Sequence, residues 1–367
     1  MEVLEVASEK DLNAFIDLPY SLYAADPLYA PPLKREVKEQ FSGKNPFFAH
    51  AEARYFIARK GKKTVGRIAS VINRRHVEFH GEKAGFFGFY ESGDDPDVCS
   101  ALLNAVRDTL KNKGMTLMRG PMNFSTNEEC GFLIEGFEEP PMLMTPYNPP
   151  FYGALMEGHG LQKAKDLYGF IHEVRETLPE KVLRVAVIAE KRGISVRPVD
   201  KRKFHEEMKI FQEVYNSAWE KNWGFIPLTD EELFYLGEKL KQIVVPELTL
   251  IAEDDGEPVG FLGLLPDFNH VLRHMKGKLN PFTILKAMYY SRKITDLRLA
   301  LLGIKREYRN RGVDALLYRE GFNGIKKGNY KRLEFSWILE DNIPVQRIVE
   351  MVGGRLYKRY RIYEKEI

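Results

Sequence analysis

Cysteine is nearly absent from the 367-residue chain, which contains only Cys99 and Cys130. Two cysteines cannot form a disulfide framework, and their spacing is not that of a zinc site, which suits a reducing compartment. His76, His80 and His159 are not spaced as metal ligands either. We therefore expect no metal cofactor.

A large excess of charge of one sign is also absent, because the net charge is only +3. This balance gives no indication of nucleic-acid binding. No apolar run reaches the roughly 18 residues that would span a bilayer, and the acidic beginning MEVLEVASEKD does not resemble a signal peptide. These absences favour a cytoplasmic protein, and the length favours two domains of about 180 residues each.

What the chain does contain is an internal repeat. The segment ARKGKKTVGRIASV around Gly66 resembles AEDDGEPVGFLGLL around Gly260. The segment YNPPFYGALMEGHG resembles DNIPVQRIVEMVGG, with Asn148 matching Asn342. These matches, and two shorter ones before them, occur in the same order at nearly the same separation, which indicates a tandem duplication. We predict a first domain over 1–177, a linker helix over 178–193 and a second domain over 194–367.

Each copy alternates strands and helices, which is typical of an α/β fold. In the first copy we predict strands over 54–59, 64–72, 85–90 and 116–119 and a helix over 98–111. In the second copy we predict strands over 249–253, 258–265, 297–304 and 332–338 and a helix that begins at Gly312.

Two insertions distinguish the copies. Residues 121–147 form a long connection in the first copy, and loops of this length are often lids or binding loops, although a surface loop without a ligand is the alternative. Residues 267–296 are inserted in the second copy, where six Lys or Arg and no acid occur between 269 and 295. We expect one or two short amphipathic helices divided by Pro281. They either pack as a hairpin over the sheet or rest on an acidic membrane surface.

The segment GIKREYRNRGVDALL, residues 303–317, has the pattern of a strand, a basic glycine turn and a helix. A helix N-terminus binds phosphate well, because its N–H groups lack partners and its dipole is positive there. Together with GEPVGFLGLL and EDNIPVQRIVEMVGGRLYKRYRIY, this segment resembles the GNAT superfamily of acyl-CoA-dependent N-acyltransferases. The resemblance implies a bacterial protein with two tandem GNAT-like α/β domains, each a mixed, mostly antiparallel sheet flanked by helices.

The resemblance also implies an acyl-CoA site in the second copy. Its residues would be Ile304, Arg309, Arg311, Gly312, Val313, Asp314, Ala315 and Asn342. Asp314 departs from the family, which usually has glycine or alanine there, and we expect its side chain to point away from the pyrophosphate. Asn342 has the alternative of simply capping a helix. The first copy has FYESGDDPDVCSALL at the equivalent place, and its four carboxylates indicate a degenerate copy.

The tyrosine that serves as the acid in many GNAT enzymes is replaced by Val349. We expect the catalytic groups among Glu340, Tyr360 and Tyr363, although an acid at a strand end is often only solvated. Candidate substrate-binding residues are Asn123, Asn127, Glu128, Trp223 and Trp337.

The sequence thus predicts an enzyme whose C-terminal copy transfers an acyl group from acetyl-CoA or a longer acyl-CoA to an amine. The amine is a small molecule or a lipid, and long-chain acyl transfer to a lipid amine is one alternative. A non-catalytic acyl-CoA-binding or interaction protein is another. A tRNA-dependent transferase is disfavoured, because the chain has little net charge and no long basic arm.

Overall fold

The computed structural model of the chain describes residues 1–175 and 177–367. It divides into two compact units that alternate along the chain. The first unit comprises 1–168, 269–292 and 358–367, and the second comprises 169–268 and 293–357. These are divisions in space, whereas the boundaries predicted above separate two copies of a sequence, so the copy boundaries stay a prediction.

The first half of the chain alternates strands and helices as predicted. In chain order its elements are β1 (Glu2–Glu5), α1 (Glu9–Leu22), α2 (Lys34–Gln40), β2 (Ala51–Lys60), β3 (Lys63–Asn73), α3 (Arg74–His80), β4 (Ala84–Ser92), α4 (Pro96–Asn112), β5 (Leu117–Gly120), β6 (Phe132–Glu135), α5 (Tyr152–Gly158) and β7 (Gln162–Glu173).

The second half repeats this alternation with additional helices. Its elements are α6 (Glu180–Lys191), β8 (Ile194–Pro198), α7 (Phe204–Trp219), α8 (Asp230–Leu240), β9 (Thr249–Asp254), β10 (Glu257–Pro266), α9 (Asn269–Met275), α10 (Pro281–Ser291), β11 (Asp296–Ile304), α11 (Val313–Lys327), β12 (Arg332–Leu339), α12 (Ile343–Met351) and β13 (Arg355–Glu366). The helix α6 lies within the predicted linker helix.

In the first unit, β1, β2, β3, β4, β5 and the end of β13 are neighbours in that order, and β6 also pairs with β13. Only the β4–β5 pairing is parallel among these neighbours. The helix α4 packs on this sheet with one apolar face, whose buried residues recur at helical spacing. They are Val98, Leu102, Leu103, Val106 and Leu110.

In the second unit, β8, β9, β10, β11 and β12 are neighbours in that order. The β11–β12 pairing is parallel and the other pairings are antiparallel. Successive side chains of β10 point to opposite faces: the Phe261 ring lies 4.9 Å from that of Phe211 in α7, whereas Leu262 faces Gly321 of α11. Helices therefore cover both faces, which confirms the predicted α/β class with mixed, mostly antiparallel sheets.

The 267–296 insertion supplies α9 and α10, which lie in the first unit. Pro281 is the first residue of α10, a position that favours proline. The helix α9 buries Val271 and Met275, and Asn269 Nδ2 donates a hydrogen bond to the Pro141 carbonyl at 3.0 Å. The insertion therefore packs as a helical hairpin.

Within residues 1–175 and 177–367, none of the helices combines the length and the apolar character needed to cross a bilayer.

Candidate active site

The site begins where two parallel strands separate. β11 and β12 pair only from Asp296 opposite Arg332 to Leu299 opposite Phe335. Beyond these pairs both strands continue, to Ile304 and Leu339, without pairing with each other in the described sheet. The backbone groups of β11 that face β12 beyond Leu299 therefore line a gap, and they need outside hydrogen-bond partners.

The strand β11 also contains a bulge at this gap. Leu264 lies opposite Leu299 and Gly263 opposite Leu301, so that Ala300 is an extra residue. Such a bulge bends a strand and redirects its backbone groups. The separation of β12 and the bulge of β11 therefore coincide within two residues.

The basic glycine turn leads from β11 into α11. Gly312 has a φ of +84°, a conformation that favours glycine, and a Cβ there would lie 2.9 Å from Val185 Cγ1 of α6. No side chain caps α11, and the first N–H groups of a helix have no partner within it. The turn thus presents uncapped donors at the positive end of the helix dipole.

The charged residues of the turn have different surroundings. Arg309 Nη2 donates to the Ala218 carbonyl at 2.9 Å, which ties the turn to α7, and Arg311 is exposed. Burial raises the pKa of Tyr318, and the Asp314 charge raises it further. The Asp314 carboxylate therefore lies close enough to Tyr318, one turn further along α11, for its charge to affect that residue.

The corresponding gap in the first unit is filled by the chain itself. β4 and β5 pair over only three residues before they separate. The loop after β5 enters the gap: Met122 N donates to the Phe87 carbonyl at 2.8 Å, and Asn123 Oδ1 accepts from Phe89 N at 2.7 Å. The fit is close, because a Cβ at Gly88 would lie 2.0 Å from the Met122 carbonyl oxygen.

The two gaps can be aligned from the first pair of each parallel ladder, which begins at Ala84 in β4 and at Asp296 in β11. Phe87 and Phe89 then correspond to Leu299 and Leu301. The first copy thus satisfies with its own loop the backbone positions that the second copy leaves open. We name residues 121–124 the plug.

The helix that follows the filled gap is also capped. Asp95 Oδ1 accepts from Val98 N at 3.2 Å, and Asp95 Oδ2 accepts from Lys60 Nζ at 2.6 Å, which lowers the pKa of Asp95. Pro96, the first residue of α4, has no N–H to offer. The start of α4 therefore lacks the uncapped donors that α11 presents.

A buried polar cluster lies just before the gap in the second unit. Arg298 of β11 and Glu334 of β12 are opposite each other. Glu334 is fully buried and accepts hydrogen bonds from Ser336 Oγ and Tyr357 Oη. Arg298 Nε donates to Ser336 Oγ at 2.8 Å, and its guanidinium lies 5.0 Å from the centre of the Trp337 ring. Tyr357 is half-buried, and its hydroxyl is bonded to the buried carboxylate.

The predicted catalytic residues fall in different units. Glu340 follows β12 in the second unit, and its carbonyl accepts from Gln346 Nε2 at 2.9 Å. Tyr360 and Tyr363 are buried on the part of β13 that belongs to the first unit. Tyr363 Oη donates to Glu157 Oε1 at 3.1 Å, and burial raises the pKa of Tyr363. Their catalytic roles stay predictions.

Asn342 and Asn148 match in the repeat but differ in their contacts. Asn342 precedes α12 and makes no capping hydrogen bond with its side chain, so the capping interpretation is wrong. Asn148 Oδ1 accepts from Leu133 N at 2.7 Å, and its Nδ2 donates to Leu133 O at 3.1 Å. The side-chain amide of Asn148 thus pairs with both backbone groups of Leu133 in the 121–147 loop.

The predicted substrate residues are also divided between the units. In the first unit Asn123 holds the plug, Asn127 N donates to Ser125 Oγ at 3.2 Å, and Glu128 accepts from Gln40 at 2.8 Å. Trp337 lies beside the buried cluster of the second unit. Trp223 is half-buried in the connection between α7 and α8. None of these contacts tests a substrate role.

A cavity of about 100 Å³ lies between α7, α8 and the sheet of the second unit, and its lining is mostly apolar. It reaches Ala300 and Leu301 at the gap. Thr249, Gly263 and Leu301 lie opposite one another on β9, β10 and β11, so the cavity crosses about 10 Å of sheet at roughly 4.8 Å per strand. One water needs about 10–15 Å³, and the cavity therefore has room for several methylene-sized groups.

Known proteins resemble the chain over nearly all of its length, although no known family profile matches it. It is 36% identical to Protein YghO of Escherichia coli (strain K12) over 98% of its own length and 94% of that protein. It is 35% identical to the bacterial ceramide synthase of Caulobacter vibrioides (strain NA1000 / CB15N), with 100% of the chain and 98% of the relative covered. The chain belongs to the family of this ceramide synthase.

Solved structures confirm the GNAT resemblance of this chain. A tandem GNAT protein from the clavulanic acid biosynthesis pathway matches 100% of the chain and 98% of its own length, with a TM-score of 0.60 and 13% identity. A GCN5-related N-acetyltransferase from Sphaerobacter thermophilus matches 99% and 95%, with a TM-score of 0.55 and 15% identity. The structures show a tandem GNAT fold, and the family relationship supports an N-acyltransferase activity.

Proposed function

We propose that the second copy of the repeat transfers an acyl group from acyl-CoA to an amine. The observation that carries this proposal is the contrast between the two gaps. The β11–β12 gap is open and followed by an uncapped helix, whereas the β4–β5 gap is filled by the plug and followed by a capped helix. Of the two gaps in the described residues, only the one in the second copy therefore offers an extended ligand both unpaired backbone groups and a helix N-terminus.

The plug indicates how the donor lies. In the first copy, peptide groups of the loop bond to Phe87 O and Asn148. The pantetheine arm of coenzyme A also carries amide groups, which would bond to Leu299 and Asn342 at the matching positions. The pyrophosphate would then accept from the N–H groups at the start of α11, next to Arg311.

The buried cluster supplies the proton chemistry. As the amine nitrogen bonds to the thioester carbonyl carbon, one amine proton passes to Tyr357 Oη while the Tyr357 proton passes to Glu334. The carbon–sulfur bond then breaks, and the proton returns through the same pair to the coenzyme A thiolate. Arg298 holds Ser336, which also donates to the carboxylate, so Glu334 is oriented for this exchange.

The apolar cavity favours a donor longer than acetyl-CoA. It begins at Ala300 and Leu301, where the thioester would lie, and a chain that enters it would be removed from water. Two polar atoms in its lining, Glu207 Oε2 and Thr249 Oγ1, are buried with no hydrogen-bond partner among the described residues. A chain bearing a hydroxyl group would satisfy such atoms, since buried polar groups normally have partners.

The acceptor in our proposal is a lipid amine. The relative in Caulobacter vibrioides is a ceramide synthase, and a ceramide is an N-acylated long-chain amino alcohol. Trp337, close to the guanidinium of Arg298, would form part of the surface that this amine approaches. Short polar amines would then be poor acceptors.

Calorimetric titration with coenzyme A tests which copy binds the donor. Asp314 and Asp97 are both the second residue of their helix, in α11 and α4, so Asp314→Asn and Asp97→Asn form a matched pair. A carboxylate about 4 Å from a phosphate charge repels it by about 1 kcal/mol in water, and a side chain that points away repels it less. We expect Asp314→Asn to tighten binding by up to about fivefold and Asp97→Asn to leave it unchanged. Tightening by Asp97→Asn alone, or no binding by the parent protein, contradicts the proposal.

Donor chain length tests the cavity. A Cβ at Gly263 meets only Phe261 Cε1 closely, at 3.2 Å, so Gly263→Leu extends into the cavity. We expect this variant to lose at least tenfold in kcat/KM with palmitoyl-CoA while keeping its activity with acetyl-CoA. Gly158→Leu makes the same change where no atom lies within 4 Å and should alter neither. An equal loss with both donors would show that the chain does not enter the cavity.

A non-catalytic acyl-CoA-binding protein is the second candidate, because Val349 is buried in the place of the usual tyrosine. It predicts that palmitoyl-CoA binds but that no free thiol is released with any long-chain amine. Thiol release that depends on the amine eliminates this candidate.

A further inference from the structure

The helix α10 turns large apolar side chains towards solvent. Phe282 is 81% exposed and Leu285 is 65% exposed, and four neighbours are exposed as well. We call this set the α10 face: Leu279, Phe282, Ile284, Leu285, Met288 and Tyr289. Soluble proteins rarely expose a contiguous group of this size unless it contacts a partner or a membrane.

The exposure follows from how the hairpin packs. Thr283 is buried, and the Tyr290 ring stacks on His274 of α9 with 3.5 Å between ring centres. At about 100° per residue, these two positions lie on one side of α10, and the five residues of the α10 face that belong to the helix lie on the other. The capping box between Asn280 and Thr283 fixes the start of the helix. The apolar stripe is therefore held outward by an ordered helix.

The hairpin itself is anchored. Lys34 N donates to the Gly277 carbonyl at 3.1 Å, and Tyr20 packs against Gly277 so closely that a Cβ there would lie 2.5 Å from the ring. The neighbouring α9 buries Val271 and Met275. The exposed face thus belongs to a supported element of the first unit.

The charges of the hairpin segment itself have one sign. Between residues 269 and 295 the chain has six Lys or Arg and no Asp or Glu. A second set of exposed apolar residues, Leu183, Val187 and Ile188 in α6, lies on a helix that also contains Glu180 and Glu190. The α10 face thus combines exposed apolar side chains with a segment that carries cationic and no acidic residues.

We propose that the α10 face binds the surface of an anionic lipid bilayer. The apolar side chains would enter the headgroup boundary, and the surrounding lysines and arginines would contact acidic headgroups. The charge complementarity distinguishes this occupant from a neutral protein surface. The proposal does not depend on the proposed acyl transfer, because it concerns binding by the first unit and is measured without turnover.

Vesicle co-sedimentation of the full chain tests the proposal. The vesicles contain phosphatidylcholine alone or with 30% phosphatidylglycerol, a mixture chosen to carry about the anionic surface potential of a cell membrane. We expect binding to the anionic vesicles, at least tenfold weaker binding to the neutral ones, and weakening with added salt. The triple variant Phe282→Ser, Leu285→Ser, Met288→Ser should bind at least tenfold more weakly than the parent.

The matched control is Leu183→Ser, Val187→Ser, Ile188→Ser, which removes exposed apolar side chains from α6 and should leave vesicle binding unchanged. Circular dichroism and thermal melting establish that both triple variants fold. Equal binding to neutral and anionic vesicles, or equal losses in the two variants, would overturn the proposal. So would a parent protein that ignores vesicles but forms a dimer that the α10 variant abolishes, because the α10 face would then contact a second copy of the chain.

Discussion

The hydroxyl of Tyr357 provides the sharpest test of the proposed chemistry. Tyr357→Phe removes one oxygen from a side chain that donates to the buried carboxylate of Glu334. A hydrogen bond to a charged group contributes about 1.5–3 kcal/mol to stability, so the variant should melt several degrees lower but remain folded. Loss of a general acid–base group lowers kcat by about 10²–10⁴, equivalent to about 3–5 kcal/mol of barrier. The rate effect should thus exceed the stability effect.

The assay follows thiol release from palmitoyl-CoA in the presence of a long-chain amine, with kcat and KM separated. We expect the KM for the donor to stay within about threefold, because the hydroxyl acts in the transition state. Glu334→Gln should lower kcat similarly, and the double variant should be no slower than the slower single variant, since the two groups act as a unit.

Tyr363→Phe is the matched control, because it also removes a tyrosine hydroxyl that donates to a carboxylate, here Glu157. It should lower the melting temperature while leaving kcat within threefold. If instead Tyr363→Phe or Tyr360→Phe lowers kcat a hundredfold and Tyr357→Phe does not, the role assigned to Tyr357 is refuted.

Three further predictions concern stability and the glycine turn. Burial lowers the pKa of His76 to about 4, so the unfolded chain takes up a proton at this residue before the folded chain does as the pH falls below about 6.5. Between pH 7 and 5 the free energy of unfolding of the parent should therefore fall by about 2 kcal/mol more than that of His76→Gln in urea titrations. Equal losses would contradict this. Phe124→Ala removes a fully buried ring of the plug and should cost about 3–5 kcal/mol without changing coenzyme A affinity measured by calorimetry; weaker donor binding would refute the separation of the two gaps. Gly312→Ala, strained by its φ and by Val185, should weaken coenzyme A binding at least tenfold with native circular dichroism, and unchanged affinity would remove the turn from the donor site.

Local patterns in the sequence predicted the elements well. The strands over 249–253 and 332–338 and the helix that begins at Gly312 are observed at β9, β12 and α11 within about two residues. Each has a periodic apolar pattern bounded by turn residues, and such patterns depend only on neighbours in the chain. The division of the hairpin at Pro281 was predictable for the same reason.

The tertiary contacts of an inserted segment cannot be predicted from its own residues. The length of 121–147 indicates an insertion, but the local sequence PMNF of residues 121–124 does not predict that Met122 and Asn123 bond to β4. The same limitation applies to β13, whose tyrosines are separated between two units at Lys358. Both outcomes depend on tertiary pairing over long sequence distances.

The buried cluster did leave a signal in the sequence. DLRLALLGI has Arg298 between leucines, and RLEFSWIL has Glu334 in an apolar strand. A single charge inside each of two strands, with opposite signs, predicts a buried pair if the strands are neighbours. The signal was interpretable only with the register, because a shift of one residue would place Glu334 opposite a leucine.

The plug also determines how each copy responds to a ligand. If the donor binds only the folded second copy, as we propose, it stabilises that copy by mass action, by about 2.7 kcal/mol at a hundredfold excess over Kd. The β4–β5 gap of the first copy is filled by the plug, which is part of the same chain, so the ligand concentration does not change its occupancy. Amide exchange in β11 should therefore slow as coenzyme A is added, while exchange in β4 stays constant. The filled β4–β5 gap thus serves as an internal reference for the open β11–β12 gap.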